Sequence, residues 1–450
     1  GVSFAGVESV SVSSVATGAA KFDLAVGFVE RRDREGAPAG LGGVVEYSAD
    51  VFDAETVRAL AGVLERVLGA IVADASVTVG ASVELTEQER TALTRRVPLN
   101  GAEDQGVDRN RDVEDGPRTV RQEVLCGLFA QLLGRDSVEV GDNFFRIGGN
   151  SLLALRLVSR VRSVLGAEVG VRDFFRDPTV AGVDRLVGQA RDAVARPSLV
   201  PVERGTEYPL SFAQRRLWFL NRVEGADSAY NVPVVVRFGV GLDVGALESA
   251  LGDVVERHEV LRTVFGERDG EPYQRVLGPV EGLPVFEVVE CASDVVDARV
   301  EEFARSRFDL AVDRSVRVRL FRCGPEESVL VVLVHHVATD GWSEGVLLRD
   351  LAEAYGARRV GEAPGWEPLP VQYADYTLWQ NDVLGAEDDP DSLLSRQVEF
   401  WRGALDGAPE VLDLPLDRVR PVVPSHRSGR VVLDLDVDLH AGLVRVAREH

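Results

Sequence analysis

Apolar positions along this chain follow two rhythms, and the change from one to the other locates its elements. From Ser328 the sequence runs SVLVVLVHHVATDGWS, with Gly324-Pro325 before it and Asp340-Gly341 near its end. A β-branched and Leu run of that length between turn residues predicts a buried strand leading into a loop. Side chains alternate along a strand, so only one of His335 and His336 can project into a given channel while the other packs on the opposite side. Elsewhere the apolar spacing is three to four. Thr119 to Leu133 places Val120, Val124, Leu125, Leu128, Phe129, Leu132 and Leu133 on one face, and Ser151 opens a second such stretch through Leu152, Leu153, Leu155, Leu157, Val158, Val161, Val164 and Leu165. A short VRDFF turn follows, then a helix opening at Pro178 and reaching about Gln189. These are four helical elements in roughly eighty residues, the size of a small bundle. Near the N-terminus, Lys21-Phe22-Asp23-Leu24 opens one strand and Gly43 to Ser48 forms another, after which Asp53 caps an amphipathic helix to about Val72. A further helix, with Leu247, Leu251, Val254 and Val255 as its apolar face, runs on into His258, which reads as a structural histidine.

Composition narrows the frame. The 450 residues, 45% of them hydrophobic, suffice for two or three cored domains. No apolar run approaches membrane-spanning length and no signal peptide opens the chain, so it reads as cytoplasmic with no membrane partner. A net charge of -23 argues against nucleic acid as a partner, because phosphate backbones call for Lys and Arg clusters. Cys126, Cys291 and Cys323 form no CxxC or Cys/His pair and read as buried thiols rather than a disulfide framework or zinc site. The chain has no Met, which reads as an excerpt of a longer polypeptide, and Lys21 is the only lysine among 50 Lys and Arg residues.

Ser151 carries the first candidate chemistry, in the run Asp142-Asn143-Phe144-Phe145-Arg146-Ile147-Gly148-Gly149-Asn150-Ser151-Leu152. Gly148 and Gly149 free the backbone for a sharp turn, and a hydroxyl at a helix start sits where unpaired N–H groups and the helix dipole favour a phosphate. An ordinary Ser N-cap fits these residues equally well. The flanks separate the two readings. With Phe144-Phe145, Gly148-Gly149, Ser151-Leu152 and Asp177-Pro178-Thr179 in order, the segment resembles the peptidyl carrier domain of non-ribosomal peptide synthetases along its whole length. That resemblance implies a 4'-phosphopantetheine arm on Ser151, added by a phosphopantetheinyl transferase.

The two histidines taken alone are more readily packed or surface residues than catalysts, and a metal site would want a third ligand that the sequence does not offer. Their spacing, HHVATDG, resembles the HHxxxDG motif of condensation domains, which form peptide bonds between carrier-bound thioesters. Five further runs are similar to motifs of that family, in its order: Ser211 to Leu220, Tyr230-Asn231-Val232-Pro233, Arg257 to Phe265, Tyr373 to Gln380 and Leu414-Pro415-Leu416-Asp417-Arg418. The resemblance implies that His336 is the active-site group, that Asp340 is structural and salt-bridged to Arg262, and that Gly341 lets the loop backbone approach the channel; His335 packs away from it. Breaking a buried Arg–carboxylate pair costs roughly 3–5 kcal/mol. An α-amine titrates at about 7.7–8.0, so positioning the amine or stabilising the tetrahedral intermediate outweighs proton abstraction as the expected role. Trp218, Trp342, Trp379 and Trp401 read as core or lobe-packing residues.

The N-terminal KFDL, EYSADVFD and LTEQER runs resemble the tail of a condensation domain, with an epimerization-domain tail as the related alternative. The expected organisation is therefore a condensation (or epimerization) tail over residues 1–97, a linker over 98–118, a carrier over 119–190, a linker over 191–205, and the N-terminal lobe and start of the second lobe of a condensation domain over 206–450. The fold class this implies is multidomain, with α+β chloramphenicol-acetyltransferase-like condensation lobes flanking an all-α four-helix carrier bundle. Both ends, as parts of two-lobe domains, are expected to expose apolar faces and promote self-association. The family usually places an adenylation domain after LTEQER. Here a polar linker leads straight to the carrier, no Gly/Ser/Thr-rich phosphate loop followed by Lys appears, and Lys21 precedes the segment. An adenylation domain acting in trans, or missing from the excerpt, is the implied partner, together with neighbouring synthetase modules. A non-catalytic docking scaffold and an ester-forming condensation remain as alternatives to amide formation.

Overall fold

The structure, a computed structural model, describes residues 3–15, 17–33, 37–78, 80, 119–167, 169–189, 197–223, 228–409, 411–412 and 414–449. The LTEQER run and the polar segment 98–118 lie outside the described residues. The described strands are β1 (Val10–Ser14), β2 (Leu24–Arg32), β3 (Pro38–Ser48), β4 (Tyr208–Pro209), β5 (Asn231–Phe238), β6 (Thr263–Arg268), β7 (Glu271–Val276), β8 (Phe286–Glu290), β9 (Val316–Arg322), β10 (Ser328–His335) and β11 (Ser428–Leu435). The chain divides into two compact units, one of Gly1–Val26, Val45–Ala54 and Pro197–Val431, the other of Gly27–Val44, Glu55–Arg196 and Val432–His450.

The first unit is built around a five-stranded sheet in the order β1-β5-β10-β9-β8. Every residue of β10 is buried, as its unbroken Val and Leu run requires of a central strand covered on both faces. It pairs antiparallel with β5 and β9, in registers that set His335 opposite Asn231 and Val334 opposite Val316. The helices Val244–Arg257 and Ser343–Arg359 supply much of the covering layer, through buried Leu247, Leu251 and Val254 on one and Leu347, Leu351 and Tyr355 on the other. Asp243 caps the first of these helices by accepting from Ala246 N at 3.0 Å. The unit also holds a smaller sheet, β4-β7-β6.

The sequence reading sets residues 1–97 apart from residues 206–450, yet part of the N-terminal segment is built into this sheet. β1 lies antiparallel on β5, from Val10 opposite Phe238 to Ser14 opposite Val234. Phe4 is buried edge-on to Phe238, with ring centroids 4.9 Å apart, and Arg359 donates to Ala5 O at 2.7 Å. The turn Ala49–Asp53 is gripped by Arg418, which donates to Ala49 O at 2.8 Å and Phe52 O at 2.6 Å. A strand edge is a row of unpaired N–H and C=O groups, and β1 satisfies the row that β5 would otherwise expose. Removing residues 1–26 is expected to open that edge. The shortened chain should show a higher weight-average mass by light scattering than the full chain at equal concentration, and equal masses would contradict the pairing.

The second unit contains four helices between residues 119 and 189, Val120–Leu133, Ser151–Leu165, Val171–Arg176 and Val180–Gln189. They share a core of Leu125, Phe129, Phe144, Leu157, Val161, Phe174, Val180 and Val183. Phe144 sits at its centre, edge-on to Phe129 at 5.2 Å and to Phe174 at 5.5 Å. The last helix begins two residues after Pro178, because Thr179 Oγ1 accepts from Gly182 N at 2.9 Å and acts as its cap. The parts of β2, β3 and β11 in this unit belong to a three-stranded sheet, order β11-β3-β2.

Candidate carrier and condensation sites

Ser151 is the first residue of its helix, and Asn150 caps it in extended conformation (φ -134°, ψ 173°), accepting from Leu153 N at 2.9 Å. Capping, the alternative role for the serine, is thus filled by the residue before it. Two glycines shape the approach. Gly148 has φ +110°, which side-chain-bearing residues rarely adopt, and a Cβ on Gly149 would lie 2.3 Å from the Phe144 ring. The chain therefore turns flat against Phe144 and enters the helix at its N-terminal end, where the first amides have no intrahelical acceptor. A phosphodiester is stabilised at such a place by N–H groups and dipole together, so these residues fit the group that the resemblance implies.

The histidine pair sits at the end of β10, with the two rings in different environments. His335 is 1% exposed, with Phe308 at 5.8 Å and Tyr230 at 6.4 Å between ring centroids. Its backbone N donates to Ser315 O at 2.8 Å, and its Nδ1 accepts from Val337 N at 3.1 Å. Nδ1 is then an acceptor, which assigns the neutral ring its proton on Nε2. Burial above all, then the neighbouring His336 and Lys21, hold its pKa down to about 3. His336, one residue beyond the strand, is half-buried, and its backbone N donates to Tyr230 O at 2.8 Å.

A buried histidine of this kind makes stability depend on pH with a definite sign. The unfolded chain binds the His335 proton below about 6.5, whereas the folded chain does not until about 3. The penalty is absent above the unfolded value and grows as pH falls from about 6.5 toward 3, by up to about 1.4 kcal/mol per pH unit. Urea midpoints of His335→Gln are expected to fall less steeply with acidification than those of the parent chain. Parallel curves would show that His335 does not titrate in this way.

Asp340 and Arg262 are not brought together. The Asp340 carboxylate accepts from Trp342 N at 3.1 Å, Ser343 N at 2.9 Å and Ser343 Oγ at 2.6 Å, ordering the loop that starts the helix Ser343–Arg359. Those bonds, Ser343 foremost, hold its pKa below the usual carboxylate value. Arg262 is buried in the single turn Glu259–Arg262, donates to Leu277 O, and faces Glu259 at 3.5 Å by the i,i+3 spacing of that turn. Each expected partner is engaged locally instead, although Arg262 Nε is buried without a hydrogen-bond partner. At Gly341 an added Cβ would meet open space within 4 Å, so no close neighbour here calls for glycine. His258 is structural as expected, its Nε2 2.8 Å from Asp350 Oδ2, which also receives Arg257 Nε at 3.0 Å. Trp342 and Trp401 are exposed rather than packed in a core. Among the described residues, no group of three or more His, Cys, Asp or Glu is placed to hold a metal ion.

Sequence reasoning gave no role to the residues that seat the histidines. Tyr230 fixes His336 through its carbonyl, and Lys21 Nζ stands 5.0 Å from the centroid of the Tyr230 ring. Asn231, opposite His335, donates to Ala304 O and Ser306 O, both at 2.8 Å. Tyr230-Asn231 lies within a run already singled out, but its partners are distant in sequence and have no pattern of their own.

The serine that opens a helix behind a glycine turn and the half-buried histidine that follows a buried strand each lie in a segment that matches a known family. Residues 204–450 match the condensation domain family and residues 123–186 match the phosphopantetheine attachment site, and the chain belongs to the condensation domain family as it occurs in nonribosomal peptide synthetases. The attachment domain carries a 4'-phosphopantetheine prosthetic group. The chain is 50% identical over 338 residues to the probable non-canonical nonribosomal peptide synthetase CymA of Salinispora arenicola, covering 75% of this chain and 4% of that one. It is 45% identical over 386 residues to a dimodular nonribosomal peptide synthase of Bacillus subtilis, covering 86% and 16%. The chain thus spans a small part of the length of these relatives. Among solved structures, the X-domain in complex with OxyB from teicoplanin biosynthesis is 40% identical, covering 52% of this chain and 50% of that one with a TM-score of 0.48. No helix among the described residues is long and apolar enough to cross a membrane.

Proposed function

We propose that this chain holds an acyl donor at Ser151 and forms an amide bond to a second carrier-bound amino acid at the His335-His336 loop. The observation that carries this reading is the division of labour between the histidines: His335 is buried and kept neutral, while His336 follows the strand, half-buried and anchored through Tyr230 O. The arm, when bound, supplies a thiol that carries the acyl group as a thioester. His336 orients the incoming α-amine toward the acyl carbon; as the C–N bond forms the thioester C–S bond breaks, and the proton given up by the amine, held in passing at His336, goes to the departing thiolate. Asp340 acts on the loop rather than on substrate, holding the turn through Trp342 and Ser343. Arg262 has a supporting role, fixing the turn before β6 through Leu277 O.

We read the four helices as the carrier bundle and the flanking segments as parts of acetyltransferase-like condensation lobes, with residues 1–97 derived from an upstream condensation or epimerization tail. A phosphopantetheinyl transferase and neighbouring modules are the proposed partners, and loading is assigned to an adenylation domain outside this sequence. Pyrophosphate exchange by the purified chain with any amino acid is expected to stay at the no-enzyme level; exchange above it would overturn the loading scheme. Amide formation is tested in the full-length synthetase, with donor loaded at Ser151 and an aminoacyl acceptor carrier supplied. Mass spectrometry should find the donor acyl group joined to the acceptor amine. Full loading with no transfer would leave the docking-scaffold reading, and transfer only to hydroxyl acceptors would assign ester formation.

A further inference from the structure

We propose that Cys291 and Cys323 form a dithiol site that closes to a disulfide by exchange with a low-molecular-weight disulfide. The two Sγ atoms are 3.5 Å apart. They meet because of the sheet: β8 and β9 run parallel with Phe286 opposite Val318 and Glu290 opposite Arg322, and each cysteine is the residue immediately after its strand. Cys291 N donates to Arg322 O at 3.0 Å, so the pairing continues to the cysteines. Neighbouring strands lie about 4.8 Å apart, within the roughly 4.4–6.8 Å between Cα atoms that a disulfide spans. Closing the bond calls for side-chain rotation and no change of register.

Access and reactivity fit an exchange reaction. Both thiols are half-buried, and Cys291 lines a cavity of ≈ 530 Å³ with Glu290, Val295, Arg299 and Arg319, which gives a small disulfide a route to one sulfur. Burial first, then the hydrogen bond with Cys291, pushes the Cys323 thiol above its ordinary value. A thiol of that kind attacks slowly at neutral pH, so Cys291, which lines the cavity, is the attacking sulfur. In the first step the Cys291 thiolate displaces one thiol of the reagent and forms a mixed disulfide. In the second, Cys323 displaces the other. One reagent disulfide is reduced to two thiols, and the two cysteines are oxidised to one bond.

The bridge would tie off a segment that supports the histidine pair. Between the cysteines lie the Ala304 and Ser306 carbonyls that hold Asn231, the Phe308 ring beside His335, and the Ser315 carbonyl that accepts from His335 N. Closing a loop of this length restricts the unfolded chain, and the oxidised form should melt higher by at least about 4 °C.

The test equilibrates the full, unprimed chain with mixtures of reduced and oxidised glutathione, followed by intact-mass and peptide mapping. The expected result is a loss of two hydrogens, a peptide pair joined through Cys291 and Cys323, and a free Cys126. Cys323→Ser should instead trap a glutathione adduct on Cys291, and Cys126→Ser should leave the bridge unaffected. Three free thiols at every ratio, a bridge that includes Cys126, or adducts on both cysteines without a bridge would overturn the site. A bridged chain that melts with the reduced one would overturn the clamping role.

Discussion

Ser151→Ala is expected to take up no phosphopantetheine when incubated with coenzyme A and a broad phosphopantetheinyl transferase, while the parent chain gains one arm. The effect is all or none because the phosphodiester needs a hydroxyl oxygen and alanine has none. Loss of folding would not account for the result. Asn150 supplies the helix cap, and the substitution leaves that hydrogen bond in place. The variant should keep the parent's circular dichroism and melting temperature within about 1 °C, as expected for a change that removes no cap. An arm on the variant would place attachment on another residue and sink the assignment.

His336→Ala in the full-length synthetase should lower the rate of acyl transfer by roughly 10²–10⁴-fold, the range typical of a positioned proton-transfer group, with priming of Ser151 unchanged. If positioning dominates, the loss falls at the lower end and shifts little with pH between about 7 and 8, where the α-amine itself titrates. His335→Ala should behave differently. It removes a buried ring packed between Tyr230 and Phe308 and leaves Val337 N without its acceptor, so stability should fall by about 2–4 kcal/mol. Equal kinetic losses with unchanged melting in both variants would contradict the separation of roles.

Much of this was legible in local sequence because local physics fixes it. The run Val329 to Val334 can bury itself only as a central strand, and the Gly148-Gly149-Asn150-Ser151 turn states its geometry in its residue types. The Asp53 helix, expected to about Val72, is observed as Ala54–Ala73. The Asp340–Arg262 bridge failed for a different reason. Two opposite charges in a sequence do not reveal which nearer groups will satisfy them first, and here Ser343 lies three residues from Asp340 and Glu259 three from Arg262.

The sequence by itself determined the helix that Ser151 opens and the buried strand that delivers the two histidines, since each follows from residue type and from periods of 3.6 or 2. Only the tertiary structure decided what surrounds them. It laid Val10–Ser14 along β5, set Lys21 over Tyr230, and brought Cys291 within 3.5 Å of Cys323. Those juxtapositions arise from strand order and register, which are chosen by how the sheet as a whole pairs its edges and fills its core, and no single segment carries that choice.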